Sequence, residues 1–259
     1  MKPVSELVRL EGKAAIVTGG SKGIGQAIAY RLAEAGAKVL VADIDRPAAE
    51  ATAKGLQNKG WTAAACTVDV ADEAQVQAMV QACAEQFGGV DILVNNAGIF
   101  PLQSVSAMAA ADFDHVLAVN LRGAFLATKY SAEQMKTRGG GKIINITSVD
   151  ALHPSMVGLA HYDASKHGMW GFTKNTALEY AHDNIWINAI APGGVATPGV
   201  AAMNPGGTSD NAASFLSTLP MKRMGESDEI ARVVLFVASD LCTYATGSQF
   251  VIDGGALLV

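Results

Sequence analysis

The chain is poor in cysteine and in charged residues, and this argues against several classes of protein. Its three cysteines, Cys66, Cys83 and Cys242, are too few and too scattered for a disulfide framework or a zinc site. Charged residues make up only 17% of the chain, the net charge is −5, and no cluster of lysine and arginine offers a stripe for nucleic-acid phosphates. We therefore expect small apolar cysteines in a reducing compartment, no bound metal ion and no nucleic-acid partner.

Long hydrophobic runs are absent as well. No stretch of about 18 consecutive apolar residues suggests a membrane span, and residues 1–6 lack the apolar core of a signal peptide. The apolar content is nevertheless 50%, which is typical of a compact globular chain and leaves no signature of disorder. The sequence predicts a soluble cytoplasmic protein without a membrane partner.

Short apolar runs alternate with helical patterns along the chain, and this alternation is typical of βαβ units and a parallel sheet. We predict strands at 14–17, 38–42, 62–68, 91–94, 142–147, 184–190 and 249–252, and helices at 24–35, 47–59, 72–87, 112–136, 160–182 and 227–239. Residues 192–220 have no clear pattern, as is usual for a lid or binding loop. The prediction is one doubly wound α/β domain over residues 1–259, with about seven parallel strands, helices on both faces and a substrate lid at 192–220.

A glycine-rich turn joins the first predicted strand to the helix after it, and it reads Thr-Gly-Gly-Ser-Lys-Gly-Ile-Gly from Thr18 to Gly25. Glycines allow a tight turn and close backbone approach, and a helix N-terminus offers free N–H groups and partial positive charge to a pyrophosphate. Such a turn could also serve only to pack the strand against the helix. Its position between strand and helix favours nucleotide binding.

Tyr162 and Lys166 lie four residues apart within a predicted helix and therefore share one of its faces. An ammonium group beside a phenol favours the phenolate, so we expect Lys166 to lower the pKa of Tyr162 toward the range useful in acid–base catalysis. Ser148 directly follows the fifth predicted strand, which places its hydroxyl at the carboxyl edge of the sheet, where ligands bind in open α/β folds.

These motifs together resemble those of the classical short-chain dehydrogenase/reductase family. The family pattern Thr-Gly-x-x-x-Gly-x-Gly is matched by Thr18, Gly19, Gly23 and Gly25, and its Asn-Asn-Ala-Gly signature by residues 95–98. The resemblance covers about residues 10 to 255. It implies a Rossmann-type fold and reversible hydride transfer between a nicotinamide cofactor and a secondary alcohol/ketone pair, with the lid excluding water.

The resemblance also assigns roles to single residues. Ser148 is expected to bind the substrate oxygen, Tyr162 to transfer the proton, Lys166 to lower the pKa of Tyr162 and bind the nicotinamide ribose, and Asn120 to hold a water that links Lys166 to solvent. The expected cofactor contacts are Thr18, Gly19, Ser21, Lys22, Gly23, Ile24, Gly25, Asp43, Asp69, Val70, Asn96, Ala97, Gly98, Tyr162, Lys166, Pro192, Gly193, Val195 and Thr197. Among these, Asp69 is expected on the adenine amino group, although it could instead cap a helix.

Two residues give opposite indications of the cofactor. Asp43 ends the second strand, where a carboxylate binds the ribose hydroxyls of NAD and repels the 2′-phosphate of NADP. Lys22 occupies a position where NADP-preferring relatives often carry a basic residue, but a lysine there could also bind the pyrophosphate or remain solvated. We expect NAD, because the carboxylate would lie closest to the group that distinguishes the two cofactors.

The loop after Ser148 supplies candidate substrate contacts. It is one residue longer than is common in the family, and Asp150 stands where relatives often have a small residue. We take Asp150, His153 and His161 as candidate pocket groups that favour a sugar, polyol or hydroxyketone. The alternative is a loop cap at Asp150 and surface histidines at the other two positions. The lid residues Met203, Phe215, Leu216 and Met221 suit either a substrate pocket or plain packing.

Two other functions remain open at this point. An NADP-dependent 3-oxoacyl-thioester reductase would share every motif, and a regulatory nucleotide-binding protein could keep the fold without turnover. The intact set of Asn120, Ser148, Tyr162 and Lys166 argues against the second. The resemblance further implies a homotetramer built on residues 112–136, residues 160–182 and the C-terminal segment, whose last tripeptide, 257–259, could instead fold onto its own core.

Overall fold

The computed structural model describes residues 1–203 and 216–259, apart from the side chain of Met203. Its strands are β1 (Ala14–Thr18), β2 (Lys38–Asp43), β3 (Ala63–Thr67), β4 (Ile92–Asn95), β5 (Gly141–Ile146), β6 (Ile185–Pro192), β7 (Val195–Ala196), β8 (Gly225–Glu226) and β9 (Gln249–Ile252). Seven of them form one parallel sheet with the strand order β3-β2-β1-β4-β5-β6-β9. The order of the strands reverses between β1 and β4, and this reversal opens a crevice at their carboxyl ends.

Helices connect the strands as a parallel sheet requires. They are α1 (Val4–Leu7), α2 (Gly23–Glu34), α3 (Arg46–Asn58), α4 (Glu73–Phe87), α5 (Ala110–Leu117), α6 (Gly123–Thr137), α7 (Ala160–Tyr180), α8 (Pro198–Met203) and α9 (Ser227–Ala238). Asp72 caps α4 by accepting the backbone N–H of Gln75 at 3.1 Å. No helix within the described part of the chain is long and apolar enough to cross a bilayer.

Both faces of the sheet are buried, so the central strands are apolar on both sides. On one face, Ile28 of α2 and Val234 of α9 pack with Val17 of β1. On the other face, Met79 of α4 and Leu126 of α6 pack in the same core as alternate strand residues. All five residues of β1 are buried, which explains why its sequence is a continuous apolar run rather than an alternating pattern.

Two sequence-based expectations are corrected. The single helix predicted at 112–136 is interrupted, because a π-helical turn at Ala118–Arg122 separates α5 from α6. The segment 192–220 is not free of regular structure, since β7 pairs in parallel with β8 and is followed by α8. Residues 204–215 of that predicted lid, and with them Phe215, lie outside the described residues.

A buried chain of amides crosses the middle of the sheet. Asn95 Nδ2 donates to Asn145 Oδ1 at 2.8 Å, and Asn145 Nδ2 donates to Thr173 Oγ1 on α7 at 2.9 Å. All three residues are buried, and an unpaired amide there would be costly. The chain of hydrogen bonds therefore fixes β4 and β5 relative to the helix that carries Tyr162.

Candidate active site

The glycine turn lies at the carboxyl end of β1, beside the reversal in strand order. Gly19 and Gly23 have φ values of 61° and 54°, which disfavour other residues. A Cβ atom on Gly25 would collide with the carbonyl oxygen of Gly19, so this position requires glycine. The residue at the N-cap of α2, Lys22, makes no side-chain cap, and the first N–H groups of the helix remain available to an anion. The turn therefore fits the pyrophosphate of a dinucleotide.

Thr18 and Asn96 hold this turn against β4. Thr18 Oγ1 accepts the backbone N–H groups of Asn96 and Ala97 at 3.0 and 3.1 Å. Asn96 Nδ2 donates to the carbonyl oxygens of Thr18 and Gly19 at 2.9 and 3.0 Å. The predicted cofactor contacts at positions 18, 19, 96 and 97 thus lie side by side in one rigid unit.

Asp43 and Lys22 have separate partners. Asp43 accepts the backbone N–H of Ser21 at 3.1 Å through Oδ2 and that of Asp45 at 3.0 Å through Oδ1. Lys22 Nζ instead lies 2.6 Å from Asp45 Oδ2, and this contact raises the lysine pKa and lowers the pKa of Asp45. The positive charge of Lys22 is therefore matched by a second carboxylate just beyond β2.

Asp69 and Val70 follow β3 at the same edge of the sheet. Asp69 Oδ1 accepts the N–H of Ala71 at 2.9 Å, and the backbone N–H of Asp69 donates to Gln75 Oε1 at 3.0 Å. Val70 packs against Gly123, where an added Cβ would lie 2.9 Å from Val70 Cγ2. Asp69 thus organises its own turn, while the cap of α4 comes from another aspartate.

The segment after β6 closes over the turn from the other side. Gly193 lies against Asp253, since a Cβ on Gly193 would come within 2.7 Å of the Asp253 Cα. Thr197 lies opposite Gly23, where an added Cβ would be 3.4 Å from Thr197 Cβ, and Thr197 Oγ1 accepts the N–H of Val200 at 3.2 Å. Of the predicted contacts in this segment, Thr197 thus lies against the glycine turn and Gly193 against the residue that follows β9.

Asn120 lies in the π-helical turn and is fully buried. Its Nδ2 donates to the carbonyl oxygen of Ile99 at 2.9 Å and to Ser165 Oγ at 3.0 Å, and its Oδ1 accepts the N–H of Ile99 at 2.8 Å. Gly98 lies close to both Asn120 Oδ1 and Lys166 Nζ. Asn120 thus ties the segment after β4 to α7, and π turns are frequent at functional sites.

Ser148 and Asp150 form a hydrogen-bonded pair at the end of β5. The Ser148 Oγ–Asp150 Oδ2 distance is 2.8 Å, and the backbone N–H of Asp150 donates to Ser148 Oγ at 3.2 Å. Burial is the largest effect on Asp150 and raises its pKa, while the hydrogen bond from Ser148 acts in the opposite direction. Asp150 is thus a direct neighbour of the predicted catalytic serine.

Tyr162 and Lys166 lie on one face of α7, with Lys166 Nζ 5.4 Å from the centroid of the Tyr162 ring. Lys166 donates to the carbonyl oxygen of Ile146 at 2.8 Å, and burial lowers its pKa to about 8. Burial raises the pKa of Tyr162, whereas contact with Ser148 lowers it. The pKa of Tyr162 is therefore raised and not lowered as expected, because burial of the phenol and the negative charges of Asp150 and Asp163 outweigh the hydrogen bond with Ser148.

The two candidate histidines lie in different surroundings. His153 is exposed, and its Nδ1 is 2.8 Å from the carbonyl oxygen of Pro154. His161 is fully buried, and its Nδ1 accepts the backbone N–H of Tyr162 at 2.9 Å. His161 is thus a buried support for the start of α7 rather than a surface histidine.

Sequence reasoning missed Phe100. Its ring packs edge-on against Tyr162 with centroids 5.8 Å apart, and its Cζ lies 3.1 Å from where a Cβ on Gly199 would be. It therefore forms an apolar wall between the predicted proton donor and α8. The available signal was an aromatic residue two positions after the Asn-Asn-Ala-Gly signature.

Comparison with known proteins places this arrangement in a family. Residues 19–256 match a family profile described as enoyl-(acyl carrier protein) reductase. The chain belongs to the short-chain dehydrogenase/reductase family. It is accordingly an oxidoreductase of the short-chain dehydrogenase/reductase type, and the seven-stranded sheet is the Rossmann-type fold expected for it.

The similar proteins within the short-chain dehydrogenase/reductase family are named for different substrates. Levodione reductase from Leifsonia aquatica is 39% identical, over 97% of this chain and 96% of its own. A 3-oxoacyl-[acyl-carrier-protein] reductase from Aquifex aeolicus is 36% identical, over 96% of this chain and 98% of its own. The structure of a 7α-hydroxysteroid dehydrogenase, in complex with NADH and 7-oxo glycochenodeoxycholic acid, is 33% identical with a TM-score of 0.92 and covers 98% of both chains.

Proposed function

We propose that this protein catalyses reversible hydride transfer between NAD(H) and a secondary alcohol/ketone pair. The observation that carries the proposal is the convergence of Ser148, Tyr162 and Lys166 at the carboxyl end of β5, close to the glycine turn. A hydroxyl, a phenol and an ammonium group together can bind an oxygen, transfer its proton and hold a ribose.

The residues would divide the work in the reduction direction as follows. A nicotinamide cofactor, when bound, would supply the chemistry of hydride transfer to a carbonyl carbon. Tyr162, which burial keeps protonated, donates its hydroxyl proton to the carbonyl oxygen, and Ser148 stabilises the developing negative charge. Lys166 holds the ribose, and Asn120 orients α7 through Ser165. Phe100 shields the proton donor from water.

NAD rather than NADP is the proposed cofactor. Two carboxylates, Asp43 and Asp45, lie at and just after the end of β2, and both would repel a 2′-phosphate. Lys22, the residue that could attract that phosphate, is paired with Asp45 at 2.6 Å. The 7α-hydroxysteroid dehydrogenase with NADH supports the assignment by similarity of fold.

The proposed substrate is polar or hydroxylated, such as a sugar, polyol or hydroxyketone. Asp150 lies within 2.8 Å of the predicted substrate-binding hydroxyl and is half-buried, so a second substrate hydroxyl could donate to its carboxylate. Reduction of 3-oxoacyl thioesters is the second candidate, favoured by the 36% identity to the Aquifex aeolicus reductase.

The proposal includes the organisation of the chain. One sheet uses strands from residue 14 to residue 252, which supports a single domain. An apolar groove of about 490 Å³, formed by α5, the π turn, α6 and α7, supports burial against a second copy and a homotetramer. The segment 192–220 is proposed as the substrate lid.

The experiment is a spectrophotometric screen of the purified protein. Sugars, polyols, hydroxy acids, hydroxyketones and 3-oxoacyl thioesters are tested with both cofactors, with Tyr162→Phe as the control. We expect NAD-dependent turnover of at least one polar pair and a loss of about 10²–10⁴-fold in kcat in the variant, the typical contribution of a general acid or base. Activity only with NADPH and thioesters would instead establish the second candidate. No turnover of any pair, or full activity in Tyr162→Phe, would contradict the proposed catalysis.

A further inference from the structure

The Ser148–Asp150 pair leaves little freedom to the serine hydroxyl. A hydroxyl has one hydrogen to donate and two positions that accept, and an ionised carboxylate only accepts. When Asp150 is ionised, the hydrogen in the 2.8 Å contact therefore belongs to Ser148. The backbone N–H of Asp150 occupies one accepting position of Ser148 Oγ. The Tyr162 hydroxyl also interacts with Ser148, and a substrate oxygen that enters between them takes over that position. What the substrate then meets at Ser148 is a single accepting position and no hydrogen.

The alcohol and the ketone place opposite demands on that oxygen. An alcohol can donate its hydroxyl hydrogen to the accepting position left on Ser148 Oγ. As its hydride leaves, that proton passes to Ser148 Oγ while the serine hydrogen passes to the Asp150 carboxylate, so the released proton ends on Asp150. A ketone oxygen only accepts, and it gains nothing from a serine whose hydrogen is already given to Asp150. If Asp150 is protonated, its own O–H donates to Ser148 Oγ and the serine hydrogen is released toward the ketone.

We propose that Asp150 is a positioning residue that decides which substrate Ser148 is prepared to receive. Its carboxylate form prepares Ser148 for the alcohol, and its carboxylic acid form prepares Ser148 for the ketone. The inference rests on the proposed function, because it concerns the same reaction. Catalysis then depends on two protonation states: that of Tyr162, and that of Asp150, which determines whether the site favours ketone reduction or alcohol oxidation.

The surroundings of Asp150 allow both forms. Burial raises its pKa, so the carboxylic acid persists to higher pH than in an exposed aspartate. The charged and titratable groups that act on it are Tyr162, Asp163 and Lys166 from α7 and His153 from the same loop. Asp163 accepts two hydrogen bonds from Ser155, and Lys166 is bound to Ile146. Strand β6, which also packs on this turn, carries no titratable side chain.

The sign of the pH dependence follows from these forms. As the pH rises through the pKa of Asp150, the carboxylic acid is lost, so ketone reduction declines and the site becomes one for alcohol oxidation. Burial also raises the pKa of Tyr162, so its phenol stays protonated over the same range and does not cause the decline. The decline belongs to the Ser148–Asp150 pair.

The test compares wild type with Asp150→Asn and Asp150→Ala. Both variants remove the carboxylate and keep the backbone N–H that bonds Ser148. We measure kcat/KM for reduction of 3-hydroxybutan-2-one with NADH and for oxidation of butane-2,3-diol with NAD, from weakly acidic to weakly alkaline pH. If that pair is not turned over, the best pair from the screen takes its place. For wild type, kcat/KM for reduction should fall with rising pH by up to about 100-fold, the effect of one lost oxyanion donor. For both variants, kcat/KM should not change with pH.

An infrared difference spectrum, wild type minus Asp150→Asn, provides a readout that needs no substrate. Its carboxylic acid band should disappear over the pH range in which reduction declines. Equal pH profiles in wild type and both variants would overturn the inference and leave the proposed function intact. So would an equal loss in both directions at every pH, which a merely structural role predicts. A wild type that turns over no pair would refute the proposed function, and this inference with it.

Discussion

At the scale of single residues, the site depends on which hydrogen-bonding groups are already paired. Both carboxylate oxygens of Asp43 accept hydrogen bonds from backbone N–H groups, one in the glycine turn and one in the loop after β2. Lys22 is matched with Asp45, and Ser148 with Asp150. These pairings, rather than residue types alone, decide what each group can offer a ligand.

The Lys22–Asp45 pair gives a prediction about cofactor choice. Asp45→Asn removes one carboxylate and releases Lys22, so the ratio of kcat/KM for NADPH to that for NADH should increase several-fold. The substitution keeps the cap of α3, because asparagine caps a helix as well as aspartate does and Asp45 caps it by accepting the N–H of Ala48 through Oδ1. Steady-state kinetics with both cofactors measure the ratio.

Lys22→Met is the matched control for that experiment. It should change the use of NADH little in the wild-type background and should abolish the gain when combined with Asp45→Asn. An unchanged cofactor ratio in Asp45→Asn would show that the ion pair has no part in selection. A strong NADPH preference in the wild type would show that the cofactor assignment itself is wrong.

At the scale of elements, the C-terminal end of α9 is held by one lysine from β5. Lys142 Nζ donates to the carbonyl oxygens of Val237, Ser239 and Cys242 at 3.1, 2.5 and 2.6 Å. The last carbonyl groups of a helix have no partners within it, and a cation at this end also interacts favourably with the helix dipole. Lys142 therefore fastens the helix to the sheet.

Lys142→Met should lower the free energy of unfolding by about 2–4 kcal/mol, because partly buried carbonyl groups lose charged donors. The exposed Lys54→Met on α3 is the matched control and should change it by less than about 0.5 kcal/mol. The midpoints of thermal unfolding of wild type and both variants are measured at the same protein concentration and compared. Equal midpoints for both would mean that water replaces the ammonium group at no cost.

The elements also show what the sequence could and could not predict. The strands were recognisable because buried parallel strands are continuous apolar runs. The π turn at Ala118–Arg122 was not predicted, because one surplus backbone residue leaves no distinctive side-chain type. The short strand β7 was missed because two residues are too few for a pattern.

For the site, the sequence predicted which residues take part but not their pKa values or ion pairs. The family motifs located Ser148, Tyr162 and Lys166, which the fold brings together from β5 and α7. The pKa of Tyr162 was not predictable, because it depends on how far the phenol is buried, which only the packed structure determines. The same holds for Lys22, whose partner comes from a loop 23 residues away.

At the scale of the whole molecule, apolar surface is exposed on the face formed by α5, α6 and α7. Phe125 is 45% exposed and packs edge-on against Phe172, and both line the groove with Leu117 and Leu121. The C-terminal Leu258 and Val259 are also exposed, so they do not fold onto the core of their own chain. Contiguous exposed apolar surface of this kind marks protein–protein contact.

Phe125→Glu should therefore reduce the assembly from the expected tetramer, because a carboxylate buried in an apolar interface without a partner is costly. Sedimentation equilibrium of wild type and variant gives the masses. Val4→Glu on α1, an exposed apolar residue away from the groove, is the control and should keep the wild-type mass. A monomeric wild type would contradict the proposed assembly, and an unchanged mass in Phe125→Glu would exclude this face from it.

The π turn has a consequence for the geometry of the long helical segment as a whole. Each residue of an α-helix advances the side-chain direction by about 100°, so one surplus residue rotates everything after it by that amount. The segment before the turn, α5, packs against α7, and the segment after it, α6, packs against α4. The insertion thus lets α5 and α6 present differently oriented sides to two different neighbours. Deleting one residue there would restore a continuous α-helix. The deletion would also turn either Asn120 away from Ser165 or α6 away from α4.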